Sequence, residues 1–140
     1  MKPSALLSAS VPLLPVRQRW SLRLALWLLD SPRLGHTARV KQFAGRMLKQ
    51  PARKGVVVAQ SRLGQLLCRD CGNTRDRRIG LELLRQAARS GNRRAQLELG
   101  RLCSQPRIND PQQARYWLEL AVAQGSHEAR RLLDNLPVYS

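Results

Sequence analysis

The sequence predicts an all-α chain built as a short α-α superhelical solenoid, and three observations carry that prediction. Apolar residues make up 43% of the 140 positions but aromatics only 4%, so the core is expected to be built from leucine and alanine, the commonest apolar residues of helices, and strand formers are sparse. The segment AQSRLGQL, Ala59 to Leu66, returns 36 positions later as AQLELGRL, Ala95 to Leu102, and more weakly as ARRLLDNL, Ala129 to Leu136. Between these recurrences a second pattern repeats at a spacing of 34. Asp76, Gly80, Leu83, Leu84, Ala87, Ala88 and Gly91 find counterparts in Asp110, Ala114, Trp117, Leu118, Ala121, Val122 and Gly125. A chain of this length holds one modest domain or a short array sharing one core, and two large domains are excluded.

Residues 1–16 read as a flexible N-terminal segment. Lys2 followed by ALLSASVPLLPV has the outline of a signal peptide, yet Pro12 and Pro15 interrupt the apolar run and no A-x-A site follows. The lack of acids before Asp30, with Arg17, Arg19 and Arg23, also suits an organelle transit peptide. WSLRLALWLLD, Trp20 to Asp30, is too short and too charged to cross a bilayer, which takes about 20 apolar residues. One of its faces carries Trp20, Leu24, Trp27 and Leu28. With its two faces the segment is expected to form the first amphipathic helix of the domain, the alternative being a helix lying on a membrane surface.

Residues 17–58 then form a degenerate helical pair, Trp20 to Leu29 and Thr37 to Gln50. In this register Gly55 takes the place of Gly91, Ala44, Met47 and Leu48 those of Gly80, Leu83 and Leu84, and Pro51 that of the first alanine of a pair. Proline lacks the donor a helix interior needs, so the second helix is expected to end before it.

Two fuller units follow, 59–92 and 93–126. Each has a first helix (Ala59 to about Arg69, Ala95 to about Ser104) and a second (after Asp76 to Arg89, after Asp110 to Gln124), with a joining loop two residues longer in the first unit. Asp76 and Asp110 stand where an N-cap is needed, and Pro111 follows at the first helical position, where no donor is missed. Gly91 and Gly125 end the second helices in a left-handed conformation. Ala59 and Leu63 recur as Ala95 and Leu99, each pair followed by a glycine, Gly64 or Gly100. Such a helix-interior glycine costs about 1 kcal/mol against alanine, which predicts a close approach to the small Gly80 and Ala114 of the second helices. Residues 127–140, beginning with the Ala129 recurrence, form a capping helix and tail.

The pattern A-x-x-x-L-G-x-L, a loop with Gly72 before Asp76, and then small-x-x-apolar-apolar-x-x-A-A-x-x-G resembles the Sel1-like repeat, a relative of the tetratricopeptide repeat. Trp117 falls on that family's usual tryptophan and Ala87-Ala88 on its alanine pair. The usual aromatic at the end of the first helix is replaced by Leu67 and Cys103, and the second alanine pair reads Ala121-Val122. The resemblance implies a non-enzymatic protein-protein interaction scaffold or adaptor whose first helices line a concave groove. Ser61, Gln65, Arg69, Leu97, Arg101 and Arg131 are the residues expected to face it. A polar groove studded with arginine suits an acidic or C-terminal peptide of a protein partner, because the guanidinium fork grips a carboxylate at two points.

Charge supplies the alternative. The chain has 25 Lys and Arg against 9 Asp and Glu, a net +16, and Met1 to Val58 holds 11 basic residues with a single acid, Asp30. An electrostatic binder of nucleic acid or anionic membrane, acting through the N-terminal half, is therefore the second reading. Arg75, Arg77, Arg78, Arg93 and Arg94 are placed to touch phosphates without reading sequence, but no exposed stacking aromatics interleave with them and no nucleic-acid motif is present. Solvated helix faces explain the same arginines equally well.

Three cysteines make no secreted disulfide framework and favour a cytoplasmic setting. Cys68-x-x-Cys71 has the spacing of a metal or redox pair. A structural zinc wants four ligands, and only the distant Cys103, His36 and His127 remain, while a redox motif wants a strand-helix unit. Ordinary thiols at a helix end and in a loop are the expectation. With no phosphate-binding loop, nucleophile elbow or zinc-protease motif, no catalytic residue, metal or cofactor is assigned.

Overall fold

The computed structural model describes residues 14–70 and 73–137. The leader-like run up to Leu13, Cys71, Gly72 and the last three residues of the tail lie outside the described residues. Seven helices fill the rest: α1 Val16–Asp30, α2 Ala38–Arg53, α3 Val57–Asp70, α4 Thr74–Arg89, α5 Arg93–Cys103, α6 Pro111–Ala123 and α7 His127–Asp134. Each packs on the next in the chain, α3 also touches α5, and α5 touches α7. The first helices of successive pairs thus stand side by side as an inner row.

The turn between units is built the same way three times. Gly55, Gly91 and Gly125 take φ of 86°, 88° and 87°, a left-handed conformation that a Cβ would strain. One residue later a backbone N–H returns to the preceding helix: Val56 to the Pro51 carbonyl, Asn92 to that of Ala87 and Ser126 to that of Ala121, each at 3.0 Å. The pair α1–α2 therefore closes with the geometry of the two later units. Side chains reinforce the seam, since Gln60 Nε2 donates to the Ala52 carbonyl at 3.3 Å and Gln96 Nε2 to that of Ala88 at 3.2 Å.

Three expectations are corrected. Helix α2 does not stop at Gln50 but runs through Pro51 to Arg53. The proline sits in the last turn with its ring fully buried and its carbonyl still accepting from Val56, so the helix forgoes one hydrogen bond and keeps its closing turn. Asp76 does not cap α4. Asn73 does, accepting from Arg75 N–H at 2.9 Å, and Asp76 lies in the first turn, where its charge favours the helix N-terminus. Asp110 does cap α6, accepting from Gln113 N–H at 3.1 Å with Pro111 in the first turn.

The longer connection is in the second unit, where residues 104–110 separate α5 from α6, whereas α3 ends at Asp70 and α4 begins at Thr74. Pro106 and Pro111 interrupt helix formation on either side of Asn109, which adopts φ 44°, whereas the first unit has no proline there and its extra residues lengthen α3 and α4.

Helix α1 packs into the domain through one of its two apolar faces. Leu22, Ala25, Leu26 and Leu29 pack into a core cluster with Ala44, Leu48, Ala52, Ala59 and Leu63. Trp20 is 65% exposed, Trp27 61% and Leu24 45%. The helix has two apolar faces, and the one centred on the small Ala25 lets the α1 and α2 axes approach as the indole face does not.

Two further clusters sit at the later seams, one of Cys68, Leu84, Ala87, Ala88, Ala95, Leu99, Leu102 and Trp117, the other of Ala114, Leu118, Ala121, Ala129 and Leu136. Within the first full unit Gly64 and Gly80 face each other. A Cβ on Gly64 meets the Gly80 carbonyl oxygen and Leu84 Cγ at 2.8 Å, and one on Gly80 meets the Gly64 carbonyl oxygen at 2.9 Å. A Cβ on Gly45, inside α2, finds only Leu63 Cδ1 at 4.0 Å. Gly45→Ala is therefore expected to raise the urea midpoint, gaining about 0.5–1 kcal/mol from helix propensity. Gly64→Ala is expected to lower it by about 1–3 kcal/mol through overpacking against backbone. Equal shifts for the two would mean that α3 and α4 are not in close contact.

Candidate binding groove

Along the inner row the first helices are tied by charge. Glu98 on α5 is 2% exposed and accepts from Arg69 of α3 at two points, Nε to Oε1 at 2.8 Å and Nη2 to Oε2 at 2.7 Å. Gln65 Nε2 and Arg101 Nη1 each donate to the same Oε2 at 3.3 Å. Arg101 reaches on to Glu128 of α7 through Nη2. At the other end Arg62 of α3, nearly buried, holds Asp30 at the end of α1 at 2.6 Å. Helices α1, α3, α5 and α7 are thus joined by charge-assisted bonds, of which the bidentate Arg69–Glu98 pair has the strongest geometry.

Two concavities open over this ladder. One, of about 560 Å³, lies among Asp30, His36, Lys41, Arg62, Gln65, Arg69 and Arg94. The other, of about 380 Å³, lies among Gln65, Arg69, Arg93, Arg94, Leu97, Arg101 and Glu128 over Glu98. They share Gln65, Arg69 and Arg94, so the groove runs continuously along α3 and α5. Arg94 stands at the junction. Partial burial and the neighbouring Arg62 guanidinium push its pKa down, against the pull of Asp30, and it stays charged at neutral pH. Among the described residues it makes no hydrogen bond or ion pair, while Arg62, Arg69 and Arg101 each hold an acid.

The six residues assigned to the groove from the sequence divide accordingly. Gln65, Arg69, Leu97 and Arg101 line it. Ser61 does not: it is 1% exposed, inside the helix packing, with its hydroxyl unpartnered among the described residues. Arg131 is exposed near the end of α7 and lines neither concavity. Sequence reading missed Arg94 as a groove residue, and with it Glu98, Arg62, Asp30 and Glu128. One signal was available, because Glu98 is the single acid of α5, RRAQLELGRLC, set between two leucines.

Cys68 belongs to the core, with its thiol 3.8 Å from the Arg77 carbonyl. Burial, aided by Asp110, pushes the Cys103 thiol pKa up, which keeps it protonated and a poor nucleophile. Among the described residues no three His, Cys, Asp or Glu side chains group as metal ligands would, and no helix is long and apolar enough to cross a membrane.

The Sel1 repeat family model matches residues 57–92 and 93–126, half of the chain, and its two segments are α3–α4 and α5–α6 with their closing glycines. The chain belongs to the Sel1 repeat family. No curated protein matches it. The all-helical architecture, with each helix packed on its neighbours, is that of a Sel1- and tetratricopeptide-like solenoid. Sel1 repeats generally mediate protein-protein interaction, and the family is typically non-catalytic. Here the inner row of Sel1 repeats carries the charged ladder and the groove.

Proposed function

We propose that this protein is a non-enzymatic adaptor whose concave face takes an acidic segment of a protein partner. The observation that carries the reading is Arg94, a guanidinium at the junction of both concavities with no acid of its own among the described residues. A carboxylate entering there meets Arg94 directly, with Arg62 and Arg69 close enough to add to the field. The planar fork binds carboxylates at two points, and its weak hydration makes desolvation in a groove cheaper than for lysine. The odd number of cysteines supports a cytoplasmic setting.

Charge reversal at Arg69 or Arg101 would disturb the ladder and so confuse binding with folding. Arg94→Glu avoids this. Titrated against a fluorescent acidic peptide ending in a free carboxylate, the parent chain is expected to bind with an affinity that falls as salt rises. Arg94→Glu is expected to weaken that binding about tenfold or more with the helical signal unchanged. Equal binding by the two proteins, or none by the parent at low salt, would remove the groove assignment.

A further inference from the structure

Helix α1 has a second apolar face that stays exposed among the described residues. Val16, Trp20, Leu24 and Trp27 follow one another at intervals of four, four and three residues, which sets them in one stripe along the helix. All four are exposed, Val16 at 64%. The stripe lies opposite the buried face of Leu22, Ala25, Leu26 and Leu29, so it points away from the solenoid. Singly exposed apolar residues are ordinary, but two indoles and two aliphatic side chains in one line on the first described helix mark a contact surface.

The surroundings of the stripe select its partner. On the helical wheel Arg17 flanks it on one side and Arg23 and Arg19 on the other, and Arg23 lies over the Trp20 ring at 5.9 Å. No acid occurs in α1 before Asp30, whose carboxylate is held by Arg62, and α2 carries five cations and no acid. A helix with an outward stripe of tryptophan and aliphatic residues between rows of arginine matches the boundary of an anionic bilayer. Indoles settle at the headgroup level, aliphatic side chains reach the acyl region, and guanidinium groups meet phosphates. The stripe covers about 16 Å of helix at 1.5 Å per residue, so α1 lies flat rather than crossing.

We infer that α1 docks this protein on the surface of an anionic lipid bilayer through Val16, Trp20, Leu24 and Trp27, with Arg17, Arg19 and Arg23 as the electrostatic contacts. The groove then faces elsewhere on the solenoid and stays open to a partner, which makes membrane docking and peptide capture separable.

The test uses the full chain with vesicles of phosphatidylcholine mixed with phosphatidylglycerol, and with vesicles of phosphatidylcholine alone. Tryptophan emission is expected to shift to the blue with the mixed vesicles only, and the protein to sediment with them at low salt. Trp20→Ser/Leu24→Ser/Trp27→Ser is expected to sediment at least tenfold more weakly, with helicity kept because the three side chains are exposed. Arg17→Gln/Arg23→Gln leaves the stripe intact and is expected to weaken binding about tenfold or more. Equal sedimentation of parent and triple variant overturns the inference, as does a parent that ignores the mixed vesicles. A parent that is a dimer and becomes monomeric on the triple substitution overturns it too, the stripe then being covered by a second copy. Binding to duplex DNA, but not to vesicles, that is lost in the triple variant would assign the face to nucleic acid instead. Tryptophans already shielded from acrylamide in the chain alone would mean that residues 1–13 cover the stripe, and would overturn it as well.

Discussion

Replacing Arg69 and Arg101 together by alanine is expected to cost about 3–5 kcal/mol of folding stability, read as a lowered urea midpoint. Glu98 is 2% exposed, and these two guanidinium groups supply three of its four hydrogen bonds. Without them Gln65 is the one hydrogen-bond donor left to the buried carboxylate among the described residues, and a poorly compensated buried charge carries a penalty of that size. The loss should lie in the stranded acid rather than in the arginines, which are partly exposed and rehydrate. Adding Glu98→Gln to the double variant is therefore expected to recover most of the stability. A surface pair sets the scale. Arg85 and Glu82, 3.8 Å apart and half exposed, predict a change within about 0.5 kcal/mol for Arg85→Ala. If the double variant loses no more than Arg85→Ala, the ladder has no part in holding α3 to α5.

A fragment starting at Val56 is expected to melt at least about 12 °C below the full chain. Removal of α1 and α2 uncovers the face of α3 that carries Ala59 and Leu63, with Leu66 and Leu67 beside them. Exposure of a buried leucine costs about 1.5–3 kcal/mol, and the neighbouring side chains bring the loss to about 3–5 kcal/mol. In a fragment of this size each kilocalorie lowers the midpoint by about 4–8 °C. The physical cause is the one-dimensional character of repeat proteins: a terminal unit lends its neighbour one whole face, and nothing further along the array replaces it. Circular dichroism melting decides the matter, and a fragment with the midpoint of the full chain would make α1 and α2 an appendage.

Much of the architecture was legible because its causes are local. Gly91 and Gly125 mark seams since a positive φ is easy only for glycine, and Gly55 marks the same seam in a unit whose other repeat residues have largely been replaced. Ala59, Leu63, Ala95 and Leu99 recur at core positions because every unit offers its neighbour the same surface. The helix ends were harder. Asn73, three residues before Asp76, was the better cap, and an alignment that equated Asp76 with Asp110 hid the difference that Pro106 and Pro111 make between the two connections.

The groove was legible in kind but not in detail. Arg69 and Arg101 do line it, yet both are engaged with Glu98, and Arg94, which holds no acid among the described residues, lies one turn before Glu98 on α5. Ser61 shares a helix face with Gln65 by periodicity alone, and only the arrival of neighbouring helices removes it from solvent.

By itself, the sequence determined the helical class, the repeat, its seams and the small residues where helices cross, because each follows from backbone conformation or from a spacing along one helix. The tertiary structure alone decided which arginines hold an acid, that Arg94 holds none among the described residues, and which apolar face of α1 is buried. Those outcomes depend on what approaches a side chain from another part of the chain. A helix with leucines on one side and tryptophans on the other carries no mark of which side its neighbour will cover.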